Sequence, residues 1–322
     1  MLKSIVFGFL SFFIACCSWA QSATEPYPSK PITLVVPYAA GGVTDLVARV
    51  IGSKMGVILG QTIVIENRAG AGGSLGTSYA AKSNPNGYTL LIGNAGTHSS
   101  SPITERGVTY DPNQDFSYIS PLGSYTFVMI CNPKVPVKSV AEFMALAKRE
   151  PGNLTYGSSG VGSNVHFIFE YLKLRTGLDV RHVPYRGAGP MVNDLLAGTI
   201  DCSFDGTSKQ NIEAGRLKAL AVASIKRDVL YPDLMTLDEA GVKGFDLPGW
   251  QSLMGPKGMP PAILKKLNEA ANAAVKDPSV ISRLSAIGFH AYGGTPEELQ
   301  KWVANDTATF QRIAKDAGIQ LQ

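Results

Sequence analysis

Histidine and cysteine are scarce in this chain, with four of each among 322 residues. So few histidines leave little material for general-base chemistry. Two of the cysteines, Cys16 and Cys17, are adjacent near the amino terminus. The other two, Cys131 and Cys202, are too few and too far apart for a Cys-x-x-Cys metal site, so no metal is expected. Charged residues make up only 17% of the chain, and its Lys and Arg are scattered. Without a basic run interleaved with aromatics, nucleic acid is not expected as a partner, despite a pI of 8.7. A Gly-x-x-x-x-Gly-Lys phosphate loop is also missing, and both Gly160-Val161-Gly162 and Gly187-Ala188-Gly189 lack the third glycine of a dinucleotide fingerprint. No cofactor is expected. Past the first residues, no stretch has the roughly 20 apolar residues of a membrane-spanning helix.

What is present begins with a leader. Met1-Leu2-Lys3 supplies a short basic start, and residues 5–15 are an unbroken run of apolar and small residues. Ser18-Trp19-Ala20 offers a cleavage position after Ala20, and a second lies after Ala23. This is the layout of a secretory signal peptide over 1–20, and it directs the chain out of the cytoplasm, to the periplasm. Phe13-Ile14-Ala15-Cys16 loosely resembles a lipoprotein box, with Phe where Leu is usual, so lipidation at Cys16 ranks second. Export would allow Cys131 and Cys202 to oxidise. Both sit in apolar, strand-like stretches, where cysteine behaves as a small hydrophobe, and two buried free thiols are expected.

The remaining chain of about 300 residues is long for one core, which argues for two lobes. Its patterning alternates strands and helices. A strand over 32–36 leads through a glycine-containing loop to a helix over 44–59, with apolar residues at 47, 51, 55 and 58 on one face. Strands over 62–65 and 88–92 flank a Gly-rich segment and a helix ending at 82. The pattern recurs from 127: helices over 140–149, 165–176 and 190–197, and strands over 154–156, 180–183, 200–204 and 217–223. Such alternation predicts largely parallel sheets with helices on both faces. From 262 the chain is chiefly helical and is expected to return to the first lobe. The expected division is 24–125 with 246–322 for one lobe and 126–245 for the other.

Two loops suit a ligand. In Pro37-Tyr38-Ala39-Ala40-Gly41-Gly42-Val43-Thr44-Asp45 a strand ends, small residues follow, and a helix starts with Thr44 or Asp45 as its cap. Helix N-termini offer free N–H donors and partial positive charge, so they hold carboxylates without Lys or Arg. Gly157-Ser158-Ser159-Gly160-Val161-Gly162-Ser163-Asn164 repeats the arrangement in the second lobe and adds hydroxyls. The glycines at 41, 42, 160 and 162 are expected to leave N–H groups accessible. Arg49 is the nearest cation in sequence and is expected to point away. Gly72-Gly73-Ser74-Leu75-Gly76 matches the Gly-x-Ser-x-Gly nucleophile pattern, but no acid and His follow it in a matching context. Asp201 and Asp205 share a strand face without the further oxygen ligands of a cation site.

Over nearly its whole mature length the sequence resembles the Bug family, the extracytoplasmic solute receptors of the tripartite tricarboxylate transporter. The likeness is carried by Pro37-Tyr38-x-x-Gly41-Gly42-x-Thr44-Asp45, Glu66-Asn67-Arg68-Ala69-Gly70-Ala71-Gly72-Gly73, Pro85-Asn86-Gly87-Tyr88-Thr89, Tyr156-Gly157-Ser158-Ser159-Gly160-Val161-Gly162-Ser163 and Val183-Pro184-Tyr185-Arg186-Gly187. It implies an α/β type II periplasmic-binding-protein fold: two α/β lobes, a ligand cleft between them and two interlobe crossings. It also implies a non-enzymatic receptor that closes over a small carboxylate, whether aliphatic, amino-acid or aromatic, and delivers it to membrane transporter subunits; a monomer is expected. Carried onto this chain, Tyr38, Ala39, Ala40, Gly41, Gly42, Thr44 and Asp45 form the carboxylate clamp with Ser158, Ser159, Gly160, Gly162, Ser163 and Asn164. Asn94, Thr97, Tyr185, Asp205 and Thr207 would shape the rest of the pocket. Asn164-Val165 stands where the family often has prolines, and Ala188-Gly189-Pro190 departs from its usual Gly-Ala-Pro order. Trp250 is expected near the second crossing, where its fluorescence would report closure. The rival readings are a sensor that presents the same ligand to a signalling receptor, and a secreted hydrolase built on Ser74.

Overall fold

The structure, a computed structural model, describes residues 26–105 and 107–317. The expected leader, its cleavage positions and Cys16 lie outside these residues. The first lobe opens with β1 (Ile32–Val36), α1 (Val43–Leu59), β2 (Ile63–Asn67), α2 (Ser74–Ala81) and β3 (Thr89–Asn94). Then come a π-helical turn at Gly96–Ser100, α3 (Ser101–Thr104) and the long strand β4 (Phe116–Tyr125). Side chains alternate across a strand, so β1 feeds two cores. Ile32, Leu34 and Val36 pack in the cluster that holds Val47, Ile51 and Met55 of α1, while Val35 joins Ala80 and Trp250 on the opposite face. Ile58, the fourth apolar position expected on the buried face of α1, is 41% exposed beside the helix end.

The second lobe holds β5 (Val128–Cys131), α4 (Val140–Arg149), β6 (Thr155–Ser158), α5 (Asn164–Thr176) and β7 (Arg181–Pro184). It continues with α6 (Ala188–Ala197), β8 (Cys202–Asp205), α7 (Lys209–Glu213) and β9 (Lys218–Val222). The chain then returns through β10 (Gly249–Pro256), α8 (Pro261–Val275), α9 (Pro278–Ser285), β11 (Phe289–Ala291) and α10 (Pro296–Ala317). Among the described residues the strands form two sheets, ordered β11-β4-β10-β3-β1-β2 and β7-β6-β8-β5-β9.

Both sheets are mixed rather than largely parallel. β1 pairs β2 and β3 in parallel, but β10 runs antiparallel to β3 and β4. In the second lobe β6 pairs β7 and β8 in parallel, whereas β5 is antiparallel to β8 and β9. These antiparallel pairings involve β4, β5, β9 and β10, the strands on either side of the two crossings, and β11 adds an antiparallel pairing to β4 at the edge of the first sheet. Periodicity did not mark β4 or β10. β4 carries Pro121 and Gly123 in its interior, residues that argue against a strand, and its pairing with β10 slips at two positions.

A second correction concerns the thiols. Cys131 and Cys202 are not free but form a disulfide across adjacent antiparallel strands, at directly paired positions of β5 and β8. Helix α10 packs on the first lobe through buried Leu299 and Val303, and its Phe310 ring lies 4.5 Å from Phe167 of α5. It therefore touches both lobes.

Candidate functional site

The first clamp loop is held by one carboxylate. α1 begins at Val43, with Gly42 as its N-cap and no side-chain capping bond, so neither Thr44 nor Asp45 is the cap. Asp45 sits inside the first turn and folds back, accepting from the Gly41 N–H at 3.0 Å and from Asn67 Nδ2 at 2.9 Å. Arg49 does not point away. Its Nε donates to Asp45 Oδ2 at 2.9 Å, and its other arm donates to Asn67. Burial pushes the Asp45 carboxyl up, but hydrogen bonds from Arg49, Asn67 and Gly41 outweigh it and hold the group below its ordinary range. Asn67 Nδ2 also donates to the Tyr38 carbonyl, so the loop from Tyr38 to Asp45 is tied at both ends.

The second loop is held by histidines. Ser163 caps α5, its hydroxyl accepting from the His166 N–H. The Gly162 N–H donates to His166 Nδ1 at 3.1 Å, and the Gly160 N–H donates to the Ser158 hydroxyl. The Ser158 hydroxyl also lies 2.6 Å from His182 Nε2. The His166 and His182 rings stack at 4.3 Å. Burial lowers both imidazoles, and His182, with His166 beside it, falls to about 4. The N–H groups of Gly41, Gly160 and Gly162 are thus spent on holding the loops, contrary to expectation. The donors left over belong to the first turns of α1 and α5, where an α-helix has no internal acceptor for its leading N–H groups.

These two N-termini border one interlobe cavity of about 40 Å³. Of the expected residues, Tyr38, Ala39, Gly42, Thr44, Asp45, Asn94, Ser159, Asn164 and Asp205 line it. The rest stand outside that lining. Ala40 and Gly41 lie against α6 at the interlobe seam, where a methyl on Gly189 would overlap the Ala40 carbonyl oxygen. Thr97 is fully buried and bonded to Asn94. Ser158, Gly160, Gly162 and Ser163 are engaged as described above. The Tyr185 hydroxyl donates to Asp194, and Thr207 donates to Asp205 Oδ2 from both its N–H and its hydroxyl. Tyr125, Phe127, Val43, Val165, Ala188 and Gly206 complete the lining. Tyr125 and Phe127 flank the first crossing between lobes, and two aromatics at such a crossing were the signal that could have placed them.

The lining contains two carboxylates, Asp45 and Asp205, and no Lys, Arg or His among the described residues. Burial raises the Asp205 carboxyl above its ordinary range, although Ser208 and Thr207 donate to it. The lobes meet around the cavity through hydrogen bonds to backbone carbonyls. The Ala39 N–H donates to the Arg186 carbonyl at 3.0 Å, and the Ser100 hydroxyl donates to the Gly162 carbonyl at 2.8 Å.

Hydrolase geometry does not assemble at Ser74. Its hydroxyl donates to the Ala71 carbonyl, while His98, His166, His182 and His290 bond to Thr97, Gly162, Ser158 and Asp228. No group of three or more His, Cys, Asp or Glu side chains among the described residues could hold a metal ion. No helix among them is long and apolar enough to cross a membrane.

Two α/β lobes meeting over a cavity between two helix N-termini define a two-lobed solute-binding protein. Residues 47–319 match the family described as "Tripartite tricarboxylate transporter family receptor". Protein BugT of Bordetella pertussis is 32% identical over 321 residues, covering 97% of each chain. A Rhodopseudomonas palustris structure with adipate is 36% identical, with a TM-score of 0.88, covering 92% of this chain and 100% of that one. MatC of the same organism, with bound malate, is 32% identical, with a TM-score of 0.86, covering 89% of this chain and 99% of that one. The chain belongs to the tripartite tricarboxylate transporter receptor family and is of the Bug type.

Proposed function

We propose that this protein captures a small carboxylate by closing its lobes and delivers it, outside the cytoplasm, to a membrane transporter of the tripartite tricarboxylate type. The observation that carries the reading is the convergence of the α1 and α5 N-termini on one cavity whose described lining has no cationic side chain. Free N–H donors at two helix ends hold an anion without a formal counter-charge. The adipate and malate bound to the two R. palustris relatives support a carboxylate as the ligand class. In this reading the clamp residues bordering the cavity contact the ligand, and Asp45, Ser158, Gly162 and Ser163 fix the loops that present it. The moving bodies are 24–125 with 246–322 and 126–245, and export follows from the leader over 1–20.

Mass spectrometry of small molecules released from denatured, freshly purified protein tests the binding half. A carboxylate present in stoichiometric amount is expected, and its failure to rebind the refolded protein would sink the proposal. Uptake of that compound by cells lacking the transporter subunits tests delivery. Uptake lost while binding persists is expected, and unchanged uptake would leave the sensing role in its place.

A further inference from the structure

Two asparagines on the cavity wall carry side-chain groups that the protein itself does not use. Asn94, only 4% exposed, has its amide oriented by its neighbours. Its Oδ1 accepts from the Thr97 N–H at 3.1 Å and from the Tyr38 hydroxyl at 3.3 Å. Its Nδ2 has no partner. Asn164, 6% exposed at the first turn of α5, has no partner on either Oδ1 or Nδ2. The two belong to opposite lobes and are neighbours. A methyl built on Gly96 would lie 2.9 Å from Asn94 Oδ1 and 3.3 Å from the Asn164 backbone nitrogen. Buried amide groups are normally paired, and three unpaired atoms on two neighbouring side chains that line one cavity are an exception that needs a cause.

We propose that Asn164, with Asn94 across the cleft, forms a subsite for a hydroxyl group of the ligand, so that this chain selects hydroxylated carboxylates over their plain counterparts. The chemistry follows from what each atom can do. Asn94 contributes an amide nitrogen with two N–H donors, and Asn164 contributes a second such nitrogen and a carbonyl acceptor. A hydroxyl oxygen accepts from an amide N–H while its proton goes to Asn164 Oδ1, so a single group pairs with both kinds of atom. A methylene pairs with none of them. A second carboxylate accepts from the two Nδ2 groups but places an anion against Asn164 Oδ1. An ammonium donates to Oδ1 and leaves both Nδ2 groups unpaired. The proposal rests on the carboxylate reading of the cleft and adds the identity of a second group.

Calorimetric titration with matched pairs of acids tests it: malate against succinate, 3-hydroxybutyrate against butyrate, and lactate against propionate. In at least one pair the hydroxylated acid is expected to bind wild type at least about tenfold tighter, since a site built to pair a hydroxyl rejects the analogue that lacks it. In Asn164→Ala that ratio should collapse to within about threefold, because alanine can neither donate to the hydroxyl oxygen nor accept its proton. The circular-dichroism spectrum and melting transition of the ligand-free variant serve as the control for a folded protein. Equal affinities within every pair for wild type, or a ratio that survives in Asn164→Ala, overturns the hydroxyl subsite and leaves the carboxylate reading intact. If Asn164→Ala binds neither acid, Asn164→Leu decides, because it keeps the side-chain volume but offers neither a donor nor an acceptor. An undiminished hydroxyl preference there also overturns the proposal. Failure of wild type to bind any of the six acids overturns this inference, and the identity of the ligand released from freshly purified protein then decides separately whether the carboxylate reading stands.

Discussion

The backbone N–H of Ala39 donates to the carbonyl oxygen of Arg186 at 3.0 Å, joining the first clamp loop to the second lobe across the cleft. Arg186 therefore takes part through its main chain, and its side chain belongs to an exposed residue. Around this bond the contact is backbone on backbone. A methyl on Gly42 would meet Ala188 Cβ at 3.0 Å, and one on Gly189 would overlap the Ala40 carbonyl oxygen.

Closure should therefore be far more sensitive to a methyl group at the seam than to loss of a surface charge. Gly189 lies in the first turn of α6 without a left-handed backbone, so Gly189→Ala suits the helix and collides only when the lobes meet. Ligand affinity is expected to fall at least about tenfold in Gly189→Ala, the equivalent of about 1.4 kcal/mol, with the melting temperature of the ligand-free protein unchanged. Arg186→Ala should bind nearly as wild type does. The opposite ranking in calorimetric titrations would mean that an ion pair, not loop contact, closes the site.

The two strand-to-helix loops were legible because a glycine-rich turn before an amphipathic helix is a local signal. What those loops do with their N–H groups was not. Gly41, Gly160 and Gly162 donate to Asp45, Ser158 and His166, and the last two of these acceptors are held by a stacked histidine pair drawn from different elements. Nothing in local spacing announces that His182 of β7 meets Ser158 of β6, since the contact depends on strand register. Trp250 shows the same limit. It lies on β10, near the second crossing, but is fully buried in the first lobe, with its Nε1 donating to Asp306. Its emission should accordingly stay constant on closure, against the expectation from its place in the chain.

The disulfide was missed for a related reason. Cys131 and Cys202 stand 71 residues apart and become opposite neighbours only through the antiparallel pairing of β5 with β8. Peptide mapping under non-reducing conditions should recover the two cysteines in one linked peptide. Replacing both by alanine should lower unfolding free energy by about 2–4 kcal/mol in denaturant titrations, chiefly by freeing the unfolded chain. Two alkylatable thiols in the native, unreduced protein would contradict the pairing.

Ser158 and Ser159 are adjacent, yet they should respond differently to truncation. The Ser158 hydroxyl is fully buried against His182 and the Gly160 N–H, so Ser158→Ala should cost about 1–3 kcal/mol of stability by leaving those partners unpaired. Ser159 lines the cavity and is only partly buried. Ser159→Ala should leave stability within about 0.5 kcal/mol and act on ligand affinity instead. Thermal melts and titrations of the two variants check the contrast, and a stability loss shared equally by both would refute it.

The histidine pair also sets a pH dependence whose sign can be worked out. Burial, reinforced by the neighbouring His166, lowers His182 from its ordinary 6.5 to about 4. The folded protein thus refuses a proton that the unfolded chain takes up as pH falls through 6.5. Stability linked to His182 is fully present above that value and is lost progressively between 6.5 and about 4, where the folded state begins to protonate as well. Below that range its contribution levels off. His182→Gln keeps a polar side chain near the Ser158 hydroxyl and removes the titration, so urea unfolding of the two proteins across this window isolates the effect. Wild type should lose more unfolding free energy on acidification than the variant does, and the gap should open within the window rather than below it. Parallel curves from pH 7 to pH 4 would show that His182 titrates as freely in the folded protein as in the unfolded one, and that the imidazole does not hold the second loop in its neutral form.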